Sequence, residues 1–414
     1  MNWKSKPWNA GFAFGFLVLC IAAAMIAMTS HAPKPARSYE PDAIQKALEN
    51  VTLPPGFKIR LYALVPGARS IAVGPQGKVI FVGTMGTALY AVTFPPEPGG
   101  LPKVTEFAAA IPKKYPHGVC FSAQGEFFVV EQNRVLSFAA AESNYRDQKI
   151  TPKIIVAQGS LIPPEEESGA HSARVCRIGP DGKLYISLGQ RYNVPPRRKL
   201  PQYNQWGIGG IIRMNLDGSG REVFARGIRN SVGMDFNPRD GSLWFTDNQV
   251  DRMGEDIPPE ELNRAPNAGL DFGFPWYGGG HIRTNEYQDD TPPEGLVFPE
   301  IETPAHAANL GMIFYKGSQF PSKYRGGIFF AQHGSWNRTV PIGARISFAT
   351  LKPDGTGNNA EIFAEGWLRQ DGSYAGRPAD VAELPDGSLL VADDEVDALY
   401  QITYEADGGA VPLK

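Results

Sequence analysis

The sequence predicts an all-β fold, a six-bladed β-propeller preceded by an N-terminal hydrophobic helix. Three observations lead to this prediction: a strand–turn–strand unit recurs six times, glycine and proline are abundant, and no amphipathic helix of suitable length separates the strands. The 46 glycines and 36 prolines among 414 residues indicate many chain reversals. A closed β-repeat fold accommodates many short strands in a single unit of this length.

The first element along the chain is an apolar segment close to the N-terminus. Lys4 and Lys6 precede residues 11–28, which carry no charge and are just long enough to span a bilayer. Because the positive end stays on the cytoplasmic side, the rest of the chain is expected in the periplasm. Residues 1–32 are therefore interpreted as a signal peptide or as an anchor in the inner membrane. Pro33 directly follows a small-x-small sequence, which disfavours cleavage and slightly favours the anchor.

The remaining chain divides into a linker, a propeller and a tail. Residues 33–54 form the linker, which contains a short helical stretch, and residues 406–414 form the tail. The propeller occupies residues 55–405. Strand 57–64 is expected to pair with a strand near 397–404, because this pairing would close the ring and remove free sheet edges.

The recurring unit is a strand, a tight turn of the Asp-Gly type and a second β-rich strand. Such a turn between alternating apolar runs is the strongest short-range signal for a β-hairpin. Six hairpins at this spacing predict six four-stranded blades around a channel. The copies begin at Ser70, His117, Arg174, Ser231, Leu310 and Pro378, and their turn glycines are Gly77, Gly125, Gly182, Gly241, Gly327 and Gly387.

Charge and cysteine content exclude two kinds of function. The formal net charge of −3 provides no field that would attract nucleic acid, so no nucleic-acid partner is expected. The chain has no C-x-x-C-H sequence and therefore no c-type haem of its own. Cys20 lies in the apolar segment, whereas Cys120 and Cys176 occupy similar positions in successive repeats. A disulfide between these two cysteines and two separately buried thiols are both compatible with the sequence.

Four blades carry histidine or arginine at corresponding entrances, which converge on one end of a propeller channel. A neutral imidazole is a natural general base, and a guanidinium can polarise a carbonyl oxygen or bind a carboxylate. Each such residue has a simpler interpretation as a surface group or a structural ion pair. The residues concerned are His171 in the third blade, Arg229 with Asn230 in the fourth, His306 and His333 in the fifth, and Arg377 in the sixth.

A long insertion, residues 250–308, separates the fourth and fifth turns. Just before and within it, residues 246–263 contain many carboxylate and amide oxygens, the ligands that Ca²⁺ prefers. A solvated acidic loop remains an alternative. In the fifth blade, the sequence HGSWNR beginning at His333 offers Trp336 for stacking on a flat ring and Arg338 for pairing with an anionic cofactor.

Several segments resemble the sorbosone/glucose dehydrogenase family of soluble propeller quinoproteins. The resemblance extends from about residue 55 to residue 404. It implies the cofactors pyrroloquinoline quinone (PQQ) and Ca²⁺, oxidation of an aldose or a sugar aldehyde, and transfer of electrons to an external quinone or cytochrome. The segments are GIRNSVGMDFNPRDGSLWFTDN from Gly227, MGEDIPPEELNRAPNAGLDFGFPW from Met253, HGSWNR from His333, and GRPADVAELPDGSLLVADD from Gly376.

The resemblance also implies roles for individual residues. His171 corresponds to the catalytic base, and Arg229 is the second catalytic residue, which polarises the reacting quinone carbonyl. The residues implied to bind the cofactor are Arg229, Asn230, His333, Trp336, Arg338 and Arg377. The residues implied to bind Ca²⁺ are Asn248, Gln249 and Asp256.

Two departures from the family pattern concern the third blade. Soluble glucose dehydrogenases carry an acid that orients the base, and Gln190 stands at that position here. Many sorbosone-type members have a cysteine pair after the same strand, whereas residues 190–196 contain no cysteine. Two other functions therefore stay open: a calcium-dependent propeller hydrolase of the lactonase type, and a non-catalytic propeller that binds PQQ or a glycan.

Overall fold

The computed structural model describes residues 40–95, 100 and 102–405. The predicted N-terminal helix, the cleavage question, Cys20 and the tail at residues 406–414 lie outside the described residues. Within the described part of the chain, no helix is both long and apolar enough to cross a membrane.

The fold is a six-bladed β-propeller, as the sequence predicts. Six sheets form the blades, each with four antiparallel strands, and the sheet of blade 3 has a fifth strand paired in parallel at its edge. The four antiparallel strands of blades 1, 2, 3 and 5 follow one another along the chain. In chain order the strands are β1 (Phe57–Leu64), β2 (Ser70–Val73), β3 (Val79–Gly83), β4 (Tyr90–Thr93), β5 (Val104–Glu106), β6 (Gly118–Phe121), β7 (Phe127–Glu131), β8 (Arg134–Phe138), β9 (Lys153–Val156), β10 (Cys176–Ile178), β11 (Leu184–Leu188), β12 (Gly210–Met214), β13 (Glu222–Arg226), β14 (Met234–Phe236), β15 (Leu243–Asp247), β16 (Glu260–Ala265), β17 (Leu270–Asp271), β18 (Tyr277–Gly279), β19 (Ile282–Arg283), β20 (Ile301–Thr303), β21 (Asn309–Phe314), β22 (Ile328–Gln332), β23 (Arg345–Leu351), β24 (Gly357–Glu365), β25 (Pro378–Glu383), β26 (Leu389–Asp393) and β27 (Ala398–Tyr404).

The blades take their strands in a simple order. Blade 1 contains β2–β5, blade 2 contains β6–β9, blade 3 contains β10–β13, and blade 5 contains β21–β24. Blade 4 contains β14, β15, β16 and β20, and blade 6 contains β25–β27 with β1 at its edge. The helices are α1 (Pro41–Leu48), α2 (Ala141–Asn144) and α3 (Leu200–Trp206), and single 3-10 turns span Pro164–Glu166, Arg197–Lys199, Asn285–Tyr287 and Ser322–Tyr324.

The ring closes by the predicted pairing of the first strand with the last. β1 runs antiparallel to β27, with Phe57 opposite Tyr404 and Leu64 opposite Ala398. The N-terminal strand thereby becomes the fourth strand of blade 6, whose other strands come from the C-terminal end. This pairing joins the two ends of the propeller and satisfies the backbone groups of β27. The prediction for residues 57–64 and 397–404 is confirmed.

The six predicted hairpins are the first two strands of the six blades. Five of the predicted glycines occupy the turn with positive φ, the conformation that glycine adopts without steric cost. In blade 5 the prediction is wrong by one residue, because Gly326 has a φ of +75° and Gly327 does not. Gly327 has a packing role instead, since a Cβ there would lie 2.3 Å from the ring of Phe348.

The hydrophobic core is divided among the blade interfaces, with one cluster between each pair of neighbours. Successive side chains of a strand point to opposite faces of the sheet, so one strand contributes residues to two clusters. In β7, Phe127 and Val129 pack toward blade 1, whereas Phe128 and Val130 pack toward blade 3. Helix α1 adds to the interface of blades 5 and 6 by burying Ile44 and Leu48.

A disulfide joins the inner strands of blades 2 and 3. Cys120 lies on β6 and Cys176 on β10, and their sulfur atoms are bonded within the apolar interface of the two blades. Their Cα atoms are 5.8 Å apart, within the usual range for a disulfide. Of the two alternatives that the sequence leaves open, the structure contains the disulfide.

Replacing Cys176 with serine should lower the free energy of unfolding by about 2–5 kcal/mol. The bridge spans 56 residues, and closing a loop of that size restricts the unfolded chain by about 4 kcal/mol at 25 °C in the loop-entropy model. Urea titration of the oxidised protein and the variant measures the difference. Dithiothreitol should destabilise the wild type and leave Cys176→Ser unchanged. Coincident unfolding curves would contradict the prediction.

The predicted insertion between blades 4 and 5 is partly regular structure. It contributes β16 and β20, the two outer strands of blade 4, and β17, which pairs in parallel with β13 at the edge of blade 3. A small hairpin of β18 and β19 lies between them. The insertion is therefore not one continuous loop, and its irregular part before β16 is confined to residues 250–259.

Candidate active site

Every blade begins its inner strand after a cationic or imidazole side chain. The sequence indicates four such blades, and the structure adds blades 1 and 2. Hydrogen bonds link these segments in blades 2 and 3: His117 Nδ1 lies 2.7 Å from the backbone oxygen of Arg174, and Arg174 Nη1 donates to the backbone oxygen of His171 at 3.0 Å. The residues are Arg69, His117, Arg174, Arg229, His306 and Arg377.

His171 is half-buried at the start of blade 3, with its tautomer fixed by the backbone. Its Nδ1 lies 2.5 Å from the carbonyl oxygen of Gln190. Because a carbonyl oxygen can only accept, Nδ1 carries the proton of the neutral ring and Nε2 is left as a proton acceptor. Burial lowers the pKa of His171 to about 3, and the nearby charge of Arg229 acts in the same direction. The ring is therefore neutral at pH 7.

The backbone of His171 is in the left-handed region, with a φ of +48°. That conformation is uncommon for a residue with a Cβ and costs free energy that the surrounding structure must supply. Such strain concentrates at functional sites, which agrees with a functional role for this side chain.

Gln190 does not use its side chain to orient His171. The side chain is buried and bonds within its own loop, where Nε2 donates to the Tyr192 carbonyl oxygen and Oε1 accepts from the Tyr192 amide at 2.8 Å. The orienting acceptor is the backbone oxygen of Gln190. The departure from the family pattern at Gln190 therefore leaves an acceptor for the Nδ1 proton in place.

Arg229 is buried at the start of blade 4 and makes four hydrogen bonds through its guanidinium. Nε and Nη2 donate to the backbone and side-chain oxygens of Asn193 at 3.1 and 2.8 Å. Nη1 donates to the Asn248 carbonyl at 3.1 Å, and Nη2 forms an ion pair with Asp251 at 2.9 Å. The backbone amides of Arg229 and Asn230 both donate to the carboxylate of Asp247.

Gly189 brings blades 3 and 4 into direct contact at this site. A Cβ at Gly189 would lie 2.5 Å from Asn230 Oδ1 and 2.6 Å from the backbone oxygen of His171. Any larger residue would separate the two segments. The structure thus brings His171, Arg229 and Asn230 together, as the family resemblance implies.

The predicted Ca²⁺ ligands are only partly brought together. Asn248 and Gln249 follow β15 directly, and the side-chain Nε2 of Gln249 donates to the buried Asp247 at 3.0 Å. Asp256 is separate: its side chain is 86% exposed and pairs with Arg338. Among the described residues, no three His, Cys, Asp or Glu side chains are arranged to hold a metal ion.

Oxygen ligands are nevertheless present around Asp247. Of the five buried side-chain amide oxygens that have no hydrogen-bond partner among the described residues, three concern this site: Asn230 Oδ1, Gln249 Oε1 and Asn337 Oδ1. Each belongs to a residue bonded to Asp247 or Asp251. Amide oxygens of this kind suit a hard cation such as Ca²⁺. The donor set therefore fits a cation that is held by amide and backbone oxygens.

Two buried glutamates of β16 lie close enough to Asp247 for their charges to interact. Burial raises the pKa of Glu260 and that of Glu261 above the usual range. The charge of Arg229 opposes the rise at Glu260, whereas Asp247 adds to the rise at both. A bound cation would favour their ionised forms.

A second polar cluster joins blades 5, 6 and 1. His333 Nε2 lies 2.7 Å from Asp394 Oδ1, and Arg69 Nη1 donates to Asp394 Oδ2 at 2.9 Å. Arg377 donates to the backbone oxygens of His333 and Gly334 at 2.9 and 2.6 Å. Burial lowers the pKa of His333 to about 4 against the effect of Asp394, so this ring is also neutral at pH 7.

Trp336 and Arg338 lie on a different part of the fifth-blade loop. Trp336 is 66% exposed. Arg338 donates to Asp256 at 3.0 Å and to the backbone oxygens of Glu255 and Val340. The contacts of Arg338 are with residues 255–256 and 340, so the structure does not bring it into the cluster of His333 and Arg377.

Sequence reasoning missed three residues that the structure places in these clusters. Arg69 precedes the first copy of the repeat as Arg377 precedes the last, so the repeat itself contains that signal. Asp394 follows the second strand of its blade, and the only sequence signal for it is an acid at the end of a strand. Asn193 lies in a loop without repeat or motif, and only the three-dimensional structure shows its contact with Arg229.

The fold and the polar groups at the start of its inner strands define a β-propeller with a candidate site built from several blades. The Glucose / Sorbosone dehydrogenase family matches residues 119–401. This is more than half of the chain, and the chain belongs to that family. The resemblance stated from the motifs is confirmed, and the chain is thereby placed among sugar dehydrogenases.

Two relatives extend the comparison along the chain. An uncharacterized protein of Borreliella burgdorferi is 31% identical over 372 residues, which cover 88% of this chain and 93% of that protein. The aldose sugar dehydrogenase YliI of Escherichia coli is 25% identical over 251 residues, 56% of this chain and 59% of that protein.

Solved structures share the fold at lower identity. A calcium structure of a Trichoderma reesei protein of Carbohydrate-Active Enzymes Family AA12 has a TM-score of 0.70 and 19% identity, covering 86% of this chain and 97% of that one. The holo form of the PQQ domain of pyranose dehydrogenase from Coprinopsis cinerea has a TM-score of 0.66 and 18% identity, covering 89% and 98%. At these identities the likeness establishes the fold alone.

Proposed function

We propose that this protein is a PQQ- and calcium-dependent dehydrogenase that oxidises a sugar, either an aldose or a sugar aldehyde such as sorbosone. Family membership supports sugar oxidation, and the solved structures that share the fold include a calcium structure and the holo form of a PQQ domain, which suggests both cofactors. The observation that carries the proposal is the fixed tautomer of His171. Its Nδ1 proton is committed to the Gln190 carbonyl, so Nε2 of the neutral ring is available as a base, and the charge of Arg229 acts on this ring.

In the proposed reaction, His171 Nε2 accepts a hydroxyl proton, either from the anomeric hydroxyl of an aldose or from a hydroxyl of the hydrated form of a sugar aldehyde. Transfer of this proton to a positioned base is worth about 10²–10⁴-fold in rate. When bound, PQQ supplies a two-electron acceptor for the hydride that leaves the sugar carbon. Arg229 retains one guanidinium N–H without a partner among the described residues, and this N–H can donate to an oxygen that gains negative charge.

The residues proposed to hold PQQ are Arg229, Asn230, His333 and Arg377, together with Arg69, whose guanidinium bonds to the same Asp394 as His333. They are arginines and polar groups on four blades, which suits a planar molecule with several carboxylates. Trp336 and Arg338 are proposed as groups at the rim of the site. Ca²⁺ would be held by amide and backbone oxygens of the segment containing Asn248 and Gln249.

We also propose that the protein acts in the periplasm and passes electrons to an external quinone or cytochrome. A disulfide between blades 2 and 3 suits an oxidising compartment. The apolar segment at residues 11–28 would direct export and, if retained, tether the protein to the inner membrane.

Titrating the cofactor-free, full-length protein with PQQ in excess Ca²⁺ should raise the melting temperature and produce aldose-dependent reduction of a dye. A ligand that binds only the folded state at 100 times its Kd stabilises it by about 2.7 kcal/mol. EDTA should remove both effects, and Ca²⁺ should restore them. Stabilisation without turnover would favour a binding propeller, and lactone hydrolysis without PQQ would favour the hydrolase. Either result would overturn the proposal.

A further inference from the structure

Asn193 occupies a loop that the family resemblance leaves without a role, yet it makes four hydrogen bonds in the candidate site. Its Oδ1 accepts from Arg229 Nη2 at 2.8 Å and from the Asp251 amide at 2.9 Å. Its Nδ2 donates to the Asp251 carbonyl at 3.0 Å, and its own carbonyl accepts from Arg229 Nε at 3.1 Å. An exposed loop residue of blade 3 thus connects two segments of blade 4.

Asp251 continues this connection into blade 5. One carboxylate oxygen accepts from Arg229 Nη2 at 2.9 Å, and the other accepts from Asn337 Nδ2 at 2.8 Å. His306 follows, with its Nδ1 3.3 Å from Asn337 Nδ2 and its Nε2 2.7 Å from the Gly254 carbonyl. Three blades therefore contribute to one network around the guanidinium of Arg229.

The network determines which part of Arg229 remains available. A guanidinium has five N–H groups in one rigid plane. Two of these N–H groups donate to Asn193, one donates to Asp251 and one donates to the Asn248 carbonyl. The fifth, on Nη1, has no partner among the described residues. With contacts on three of the nitrogen atoms, the plane cannot rotate without breaking several hydrogen bonds.

We propose that Asn193 is a positioning residue which, together with Asp251, locks the guanidinium of Arg229 so that its one uncommitted N–H is held in a single orientation for the reaction. This proposal rests on the proposed function, in which that N–H donates to an oxygen gaining charge. Donors that are fixed in advance stabilise developing charge without a reorganisation cost. Asn193 acts only through Arg229.

The first test uses the cofactor-free protein and needs no turnover. The hydrogen exchange of the Arg229 Nε–H is followed by NMR in arginine-labelled protein, and Arg229→Lys identifies the resonance. Asn193→Ala should accelerate this exchange at least about 10-fold, because it removes the side-chain anchor beside Nη2 and loosens the loop whose carbonyl holds Nε. Exchange within about twofold of the wild type would overturn the proposal.

The second test separates positioning from cofactor binding. In the holoenzyme, Asn193→Ala should lower kcat about 10–100-fold while KM and the Kd for PQQ stay within about threefold. Asn193→Asp, which keeps an acceptor for Arg229, should recover part of kcat. Asn359→Ala, an exposed asparagine on the outermost strand of blade 5, is the matched control and should behave as wild type.

The outcomes distinguish this proposal from the proposed function. Faster exchange with an unchanged kcat would show that Asn193 holds Arg229 but that its orientation does not limit the reaction, which overturns the positioning role. A wild type that binds no PQQ and oxidises no sugar would overturn the proposed function and the positioning role together. In that case the exchange rate of the Arg229 Nε–H would still show whether Asn193 holds the guanidinium in place. If Asn193→Ala does not fold, Asn193→Ser replaces it in both measurements.

Discussion

Replacing His171 with alanine should lower kcat for sugar oxidation by about 10²–10⁴-fold, the usual contribution of a positioned general base. Gly189 packs against both His171 and Asn230, and the charge of Arg229 acts on the His171 ring. Only Nε2 of this ring can accept a proton in the neutral tautomer. The Kd for PQQ should change much less, because the arginines proposed to hold its carboxylates are untouched. Steady-state kinetics with dye reduction and a PQQ titration measure the two quantities separately.

A surface histidine supplies the control for this experiment. His281 is exposed and stacks on Phe298, away from the inner strands. His281→Ala should retain wild-type kcat and KM. If His171→Ala retains more than about a third of wild-type kcat, another group takes the proton and the proposed role of His171 is wrong.

The tautomer and charge of His171 can be checked without any substrate. Its pKa is lowered to about 3 by burial and by the Arg229 charge. An ordinary histidine with a pKa near 6.5 is almost entirely protonated at pH 5, whereas His171 should remain neutral there. Histidine ring resonances in the cofactor-free protein report this directly during a pH titration. Protonation of His171 with a midpoint near 6.5 would contradict the buried environment.

The fold was predictable because the propeller repeats its own signal. Each blade needs the same tight turn between its first two strands, so glycine recurs at the same place six times. A single copy with a less regular turn therefore does not change the predicted number of blades. The copy in blade 5 shows the limit of the signal, since Gly326 and Gly327 are adjacent and only packing against Phe348 distinguishes their roles.

The candidate site was only partly predictable because its contacts cross between blades. His171, Arg229 and Asn230 lie near recognisable motifs, and the structure brings them together. Arg338 belongs to the same motif as His333 but pairs with Asp256, because the chain turns between the two residues. No sequence pattern connects Asn193 with Arg229, which is 36 residues away. Such pairs become visible only when neighbouring blades are placed side by side.

Gln190 shows why a substitution in a motif need not remove a role. The sequence offers an amide where the family has an acid, which suggests a weakened base. In the structure, the carbonyl oxygen of Gln190 accepts the Nδ1 proton, and a carbonyl is present whatever the side chain. The side chain fixes the loop through Tyr192. Activity should therefore depend on the backbone geometry of this loop more than on the identity of residue 190.

Replacing Arg229 with methionine should destabilise the protein by about 3–5 kcal/mol in addition to impairing catalysis. Arg229 is 3% exposed, and its guanidinium is paired with Asp251 and lies close enough to Asp247 for their charges to interact. Removing one partner of a buried ion pair leaves the other charge uncompensated, which is the costly case. Urea titration of the cofactor-free protein measures the loss. Arg229→Lys keeps the charge but not the planar fork, so it should retain more stability than activity.

A double-mutant cycle shows whether the uncompensated charge is the cause. Asp251→Asn removes the partner charge and keeps an oxygen that can accept from Asn337, so Arg229→Met with Asp251→Asn should be less destabilised than the sum of the two single variants. Arg60→Met, at an exposed position on β1, should change the free energy of unfolding by no more than about 0.5 kcal/mol. If the losses in free energy of unfolding of the two single variants simply add, the destabilisation by Arg229→Met comes from lost packing and not from an uncompensated charge. Wild-type stability in Arg229→Met would mean that the network around Asn193 and Asp251 does not depend on the guanidinium at all.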